Sequence, residues 1–402
     1  MRDTELHYLN DLPKRPDGLD RPFMTSLDAR ANDNMPPCRT LCILTTLLGN
    51  KPTAMRLMEA LQGLEWIEPT FVLVTMDDYK THPAPLWAKL SNAWEARSVA
   101  RRKVGPLLGQ QFDALLVNCW EYVVEFQDLA RRLPAAALMD AVPANVNTQL
   151  IHRSQGGWRR SLAHWLQDGP FKRAARHFRF FLPTGSDTIA SLERDYGIPR
   201  ERCFATLQPQ DLNVWAPVPH VYSRPLRLLF VGNDFLRKGG DFLLRLYAEH
   251  LSDDFVLTIA SRDPGLERRP LPKGVTWLRD RDRDQLIEVY RAADLFILPT
   301  QQDFMPQVLA EALSTGVPCM ANDVGGIRDM VRDGETGFLI PPDASMEAWA
   351  ERLRYLSSHP GELSRMAANA RRFAEANLGM DRFRGLVSNV MQRLCGGERN
   401  GL

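Results

Sequence analysis

Short β-rich apolar runs recur along the chain from Thr40, separated by stretches of helical period. In the first half they are Thr40–Leu47, Phe71–Thr75, Ala114–Asn118, Ala136–Met139 and Phe178–Leu182. In the second half they are Leu226–Gly232, Phe255–Ala260, Val275–Leu278, Leu295–Pro299, Pro318–Ala321 and Gly337–Ile340. The runs are continuous rather than alternating. That is the pattern of strands buried on both faces of a parallel sheet covered by helices. Strand and helix alternating twice over predict an α/β protein with two Rossmann-like, doubly wound domains. Residues 1–37 break the pattern. They carry Pro13, Pro16, Pro22, Pro36 and Pro37 among Asp, Asn and Arg, and read as a flexible leader. Three prolines in Pro217–Pro225 interrupt any regular element. The expected division is a first domain over 38–218 and a second over 219–380, with a closing helix in 381–402.

Composition narrows the function. Of 402 residues, 44% are hydrophobic, enough for two separate cores. Lys plus Arg number 50 and Asp plus Glu 49, a net charge of +1, which argues against a protein that holds a nucleic-acid backbone. No run of 18 apolar residues offers a membrane span, and the N-terminal stretch MRDTELHYLNDLPKRPDG has no apolar signal core. The six cysteines form no CxxC pair and sit mostly in apolar runs. They predict buried thiols in a reducing cytoplasm, with no disulfide frame and no zinc site. Eight histidines without ligand spacing predict no metal.

Two segments carry candidate chemistry. Phe230–Tyr247 reads strand, glycine turn, basic pair, amphipathic helix. A doubly wound sheet places Gly232, Asn233, Arg237 and Lys238 at a strand's carboxyl end, where ligands bind and a helix N-terminus attracts phosphate. The bland alternative is a βα turn with solvated charges. The turn has neither GxGxxG nor GxxxxGK[ST], against nicotinamide and P-loop readings. In Ala293–Pro342 a strand ends at Pro299, a polar loop follows, and a helix starts near Pro306. The backbone of Met305, Pro306, Gln307 and Val308 offers N–H groups for phosphate oxygens. Asp303 and Glu311, eight residues apart, are hydroxyl acceptors of the kind ribose and sugar rings need. Taken singly, each acid also reads as a loop Asp or a solvated helix Glu.

Together the segments resemble glycosyltransferase family 4. FVGNDFLRKGG followed by DFMPQVLAEALSTGVP and NDVGGIRDMVRDGETGFLIPP is similar to that family's carboxyl domain, which has the GT-B fold. The family's E-x7-E appears as Asp303-x7-Glu311. By that likeness Glu311 binds the ribose hydroxyls and Asp303 the donor sugar. The diphosphate motif maps onto Gly232, Asn233, Lys238 and Gly239, and gives Lys238 the diphosphate. Lys238 and Asp303 are thus the catalytic candidates. Gly49 falls in a loop that in the family faces donor phosphate and acceptor; a plain βα turn stays open beside that role. The likeness implies a retaining enzyme moving a sugar from a nucleotide diphosphate sugar to an acceptor hydroxyl, with no cofactor. It also implies that the closing helix crosses back to the first domain.

Three departures stand out. Asn233 replaces the family's arginine, with Arg237 as the neighbouring cation. Asp303 is one methylene shorter than glutamate. The first domain lacks the family's strand-end histidine, with Asn118 nearby as a donor-binding candidate that cannot take a proton. These departures leave a catalytically inactive relative open as an alternative, alongside a sugar-nucleotide epimerase. Residues 151–180 hold seven Lys or Arg against one Asp, interleaved with Trp158, Trp165, Phe171, Phe178 and Phe180. That mixture suits an anionic membrane surface, a lipid-linked or glycan acceptor, or a solvated helix with its aromatics in the core.

Overall fold

The computed structural model describes residues 37–47, 50–81, 92–146, 158–252 and 254–396. The leader and Gly49 lie outside the described residues, as does 151–157 of the basic stretch. Every one of the eleven apolar runs forms a strand. In the first domain these are β1 (Cys38–Thr45), β2 (Ile67–Val74), β3 (Ala114–Asn118), β4 (Ala135–Met139) and β5 (Phe180–Pro183). They pair in parallel in the order β2-β1-β3-β4-β5. In the second domain they are β6 (Leu226–Val231), β7 (Phe255–Ala260), β8 (Val275–Leu278), β9 (Leu295–Leu298), β10 (Cys319–Asn322) and β11 (Gly337–Ile340). Their order is β11-β10-β9-β6-β7-β8, again all parallel.

In each sheet the chain starts in the interior and later reverses direction. The reversal falls between β1 and β3 in the first domain and between β6 and β9 in the second. Loops leaving the carboxyl ends of strands there diverge and open a crevice, the place where doubly wound sheets bind ligands.

The second core takes in both faces of its sheet, from Leu228 and Phe296 to Trp349 and Phe373. It also takes in Leu207 and Trp215. These two residues lie ahead of Pro217–Pro225 in the chain. Two chain segments pass between the domains side by side: Gln210 N–H donates to the Leu378 carbonyl at 2.6 Å, and Gln210 bridges Gly379.

The final helix, Met380–Cys395, packs on the first domain. Phe383, Leu386, Val387, Val390 and Leu394 share a core with Leu44, Leu57, Leu61 and Leu116. This return brings Cys395 to Cys38 at the start of β1, and the two form a disulfide. The expectation of no disulfide is corrected here. The partners lie 357 residues apart, so only the tertiary return of the helix reveals the pair. Cys42, Cys119, Cys203 and Cys319 are free thiols.

Candidate active site

The second domain's crevice is built from the two segments that carry the motifs. After β6 the chain passes Gly232 and turns back at Gly239, whose φ of +84° and close approach to the Pro299 carbonyl suit glycine alone. The Lys238 stem lies over Gly232, where a Cβ would sit 2.5 Å from Lys238 Cδ. The ammonium reaches across to the loop after β9: Lys238 Nζ is 2.8 Å from Asp303 Oδ2, and both side chains are about nine-tenths buried. Arg237 holds the same loop. It donates to the Gln302 carbonyl at 2.8 Å and to Asp234 at 2.7 Å, and its guanidinium lies 3.6 Å from Asp303. Asn233 instead accepts from the Arg262 N–H at 3.1 Å, fastening the loop after β7.

Behind Asp303 the Gln307–Ser314 helix begins at Pro306, whose ring cannot cap it. Its first N–H groups and its dipole favour an anion. Met305 is buried and its carbonyl accepts from Gln208 at 3.0 Å. The Val308 carbonyl and Glu311 Oε2 both accept from the Tyr290 hydroxyl, at 3.2 and 3.0 Å. Burial pushes the Glu311 carboxyl above its ordinary value, against the pull of Arg56, Lys238 and Arg283. Glu311 and Gln307 face a cleft of about 400 Å³. Its walls are Met55 and Arg56 of the first domain, Trp215 and Met380 beside the interdomain passage, and Arg283 and Leu286 of the second domain.

The first domain's crevice is different. Asn118 is fully buried, its oxygen accepting from Thr45 N–H at 2.6 Å and its amide donating to the Thr45 carbonyl at 3.1 Å. Both groups of the amide thus bond the end of β1 to the end of β3. The rim carboxylates are Glu121 and Asp140. Burial pushes Glu121 up to about 6. Burial and then the charge of Asp303 across the cleft raise Asp140.

Arg56 and Tyr290 were not singled out from sequence. Asp140 follows a strand, a rim position that the strand pattern does reveal. Arg56 is one cation in an amphipathic helix, Asn50–Gln62, with no local signal. It is desolvated enough to lower its pKa to about 10. It donates to Gln210 at 2.8 Å, and to Gln307 at 2.7 Å with that amide turned to present its oxygen.

Residues 215–373 match the family model for glycosyl transferases group 1. The D-inositol 3-phosphate glycosyltransferase of Rhodococcus jostii is 33% identical over 208 residues, 46% of this chain and 46% of that protein. The match thus spans about half the length of this relative. Among solved structures, sucrose-phosphate synthase from Thermosynechococcus elongatus covers 90% of this chain and 100% of its own, with a TM-score of 0.74 and 16% identity. Anabaena HepE in complex with UDP-glucose covers 89% of this chain and 100% of its own, at TM-score 0.64 and 15% identity. At these identities the likeness is one of fold.

Proposed function

From the premise that residues 215–373 are a group 1 glycosyl transferase region on a GT-B fold, we propose that the protein is a retaining glycosyltransferase. It takes a nucleotide diphosphate sugar and passes the sugar to an acceptor hydroxyl. The observation that carries this reading is the Lys238–Asp303 pair at the β6/β9 crevice, with Glu311 facing the adjoining cleft.

Glu311 accepts the ribose hydroxyls and is aimed by Tyr290. Lys238 meets the diphosphate, already extended toward it by Asp303. The uncapped start of the Gln307–Ser314 helix, with the Met305–Val308 backbone, holds the remaining oxygens. Asp303 accepts a sugar hydroxyl. In the transfer, the bond from the anomeric carbon to the β-phosphate oxygen breaks and the bond to the acceptor oxygen forms on the same face. The acceptor proton passes to the leaving phosphate, so no protein base is required. Lys238 and the helix dipole stabilise the charge that develops there. No metal is called for in this assignment. HepE, solved with UDP-glucose, supports a sugar nucleotide as donor.

The acceptor, a glycan, lipid-linked or small-molecule hydroxyl, sits on the Glu121 and Asp140 rim. Lys172, Arg173 and Arg176 are exposed on the Trp158–Ala175 helix and beyond it, and support peripheral contact with an anionic membrane face. Among the described residues no helix is long and apolar enough to cross a membrane. A cytoplasmic setting now rests on the donor alone, because the cysteine argument falls with the Cys38–Cys395 bond.

The test is nucleotide release from a panel of sugar nucleotides, with the product's anomeric configuration read by proton NMR. Release from one donor with retained configuration is expected. Inversion contradicts the retaining assignment. Binding without release from any donor favours the inactive relative.

A further inference from the structure

One contact between the domains involves neither Lys238 nor Glu311. Asp329 ends the short 3-10 turn Ile327–Asp329 in the connection after β10, and its carboxylate crosses to the start of the Ser186–Tyr196 helix, just after β5. Asp329 Oδ2 accepts from the Ser186 N–H at 2.6 Å, and Oδ1 from the Ser186 hydroxyl at 2.7 Å. Asp329 is 7% exposed. The helix's own N-cap residue is Gly185, which has no side chain to offer. The first turn of a helix leaves N–H groups without partners and carries a partial positive charge. Here a carboxylate from the opposite domain satisfies both needs.

Each end of this contact leads to a donor-facing loop. On the second domain, Gly326 N–H donates to the Phe304 carbonyl at 2.6 Å, joining the Asp329 loop to the residue after Asp303. On the first domain, the Thr188 hydroxyl donates to the Asp140 carbonyl at 2.6 Å. Asn145 reinforces that junction, donating to Thr188 at 3.2 Å and accepting from Val142 N–H at 2.8 Å. A continuous run of short bonds thus connects Asp303 to Asp140 across the cleft, and Asp329–Ser186 is its interdomain link.

We infer that Asp329 is a positioning residue: by capping the Ser186–Tyr196 helix it clasps the two domains shut and sets Asp140 opposite the donor sugar. The inference rests on the transferase reading for what closure accomplishes, but the clasp can be measured without it. Opening then requires a buried carboxylate and a helix N-terminus to be parted and rehydrated.

The experiment compares the full chain with D329A, D329N, S186A and the D329A/S186A double variant. Three quantities are read: radius of gyration by solution X-ray scattering, affinity for the nucleoside diphosphate by calorimetry, and steady-state nucleotide release. D329A is expected to enlarge the radius of gyration. It should lower kcat at least about tenfold and leave nucleotide affinity within about threefold. S186A shows the same pattern more weakly, D329N lies between, and the double variant is no worse than D329A because both act through one link. A folded D329A with unchanged radius and kcat overturns the clasp, as do additive effects of the two single changes. If D329A fails to fold by circular dichroism, S186A decides on the same readouts. If the wild type binds no nucleotide, the donor reading fails, and the radius of gyration still decides the clasp.

Discussion

The two crevices share a topology and use it in opposite ways. At β6/β9 the loops leave an ammonium, a guanidinium and a carboxylate gathered around one buried pair, Lys238 and Asp303, beside a helix that no side chain caps. At β1/β3 the strand-end residue is Asn118, and its amide accepts from and donates to the Thr45 backbone. A strand's carboxyl end therefore gives a residue the opportunity to meet a ligand. Whether it does depends on what else needs its hydrogen bonds. The second crevice leaves charge available to grip an anion. The first leaves it to Glu121 and Asp140, carboxylates that burial holds toward their neutral form.

The sharpest way to break this contrast is Lys238→Ala. It removes the cation assigned to the leaving phosphate and should lower nucleotide release by about 10²–10³-fold, a loss of about 3–4 kcal/mol in transition-state stabilisation. Steady-state kinetics would show it, with kcat falling more than KM rises. The next effect falls on the first domain alone. Cys38→Ser removes the covalent tie between the final helix and β1 and should lower unfolding free energy by about 2–4 kcal/mol in a denaturant titration, with nucleotide affinity preserved. Asn118→Ala should cost about 1–3 kcal/mol of stability, because the Thr45 N–H and carbonyl lose buried partners. Its nucleotide affinity should match the wild type. An affinity loss without a stability loss would place Asn118 at the donor.

The smallest effect is a pH dependence. Burial raises the folded Glu311 carboxyl above the ordinary 4.5. Only the ionised form accepts both ribose hydroxyls. Falling pH therefore removes nucleotide affinity at a higher pH than it would with an ordinary glutamate. Glu311→Gln should bind more weakly at high pH and show little of that slope by calorimetry. In stability the sign is reversed: a raised carboxyl favours the fold at low pH and loses that contribution as pH rises through its folded value.

The strand pattern was readable because both sheets are buried on both faces, so each strand announces itself as an apolar run. The one long misplacement of a start, β2 at Ile67 rather than Phe71, has a physical cause. β2 is an edge strand, and Glu68, Pro69 and Thr70 are tolerated there. The second-domain candidate site could be drawn from sequence because its residues are local: Gly232 to Lys238 and Asp303 to Glu311 are each one loop and one turn. The rest depends on distant parts of the chain meeting. Arg56 reaches Gln307 from the other domain, Asp329 finds Ser186 143 residues away, and Cys38 meets Cys395 only after the final helix returns. No spacing rule registers such pairs. Prolines at 217–225 marked a break in regular structure, but the second core had already begun at Leu207 and Trp215.

If Lys238 and Glu311 form one nucleotide-diphosphate grip, it will show when UDP, GDP and ADP are titrated into the protein by calorimetry, alongside Lys238→Ala and Glu311→Ala. One of the three is expected to bind the wild type, and either substitution should weaken it by at least about tenfold. Binding that survives both substitutions undiminished, or no binding of any of the three, would contradict it.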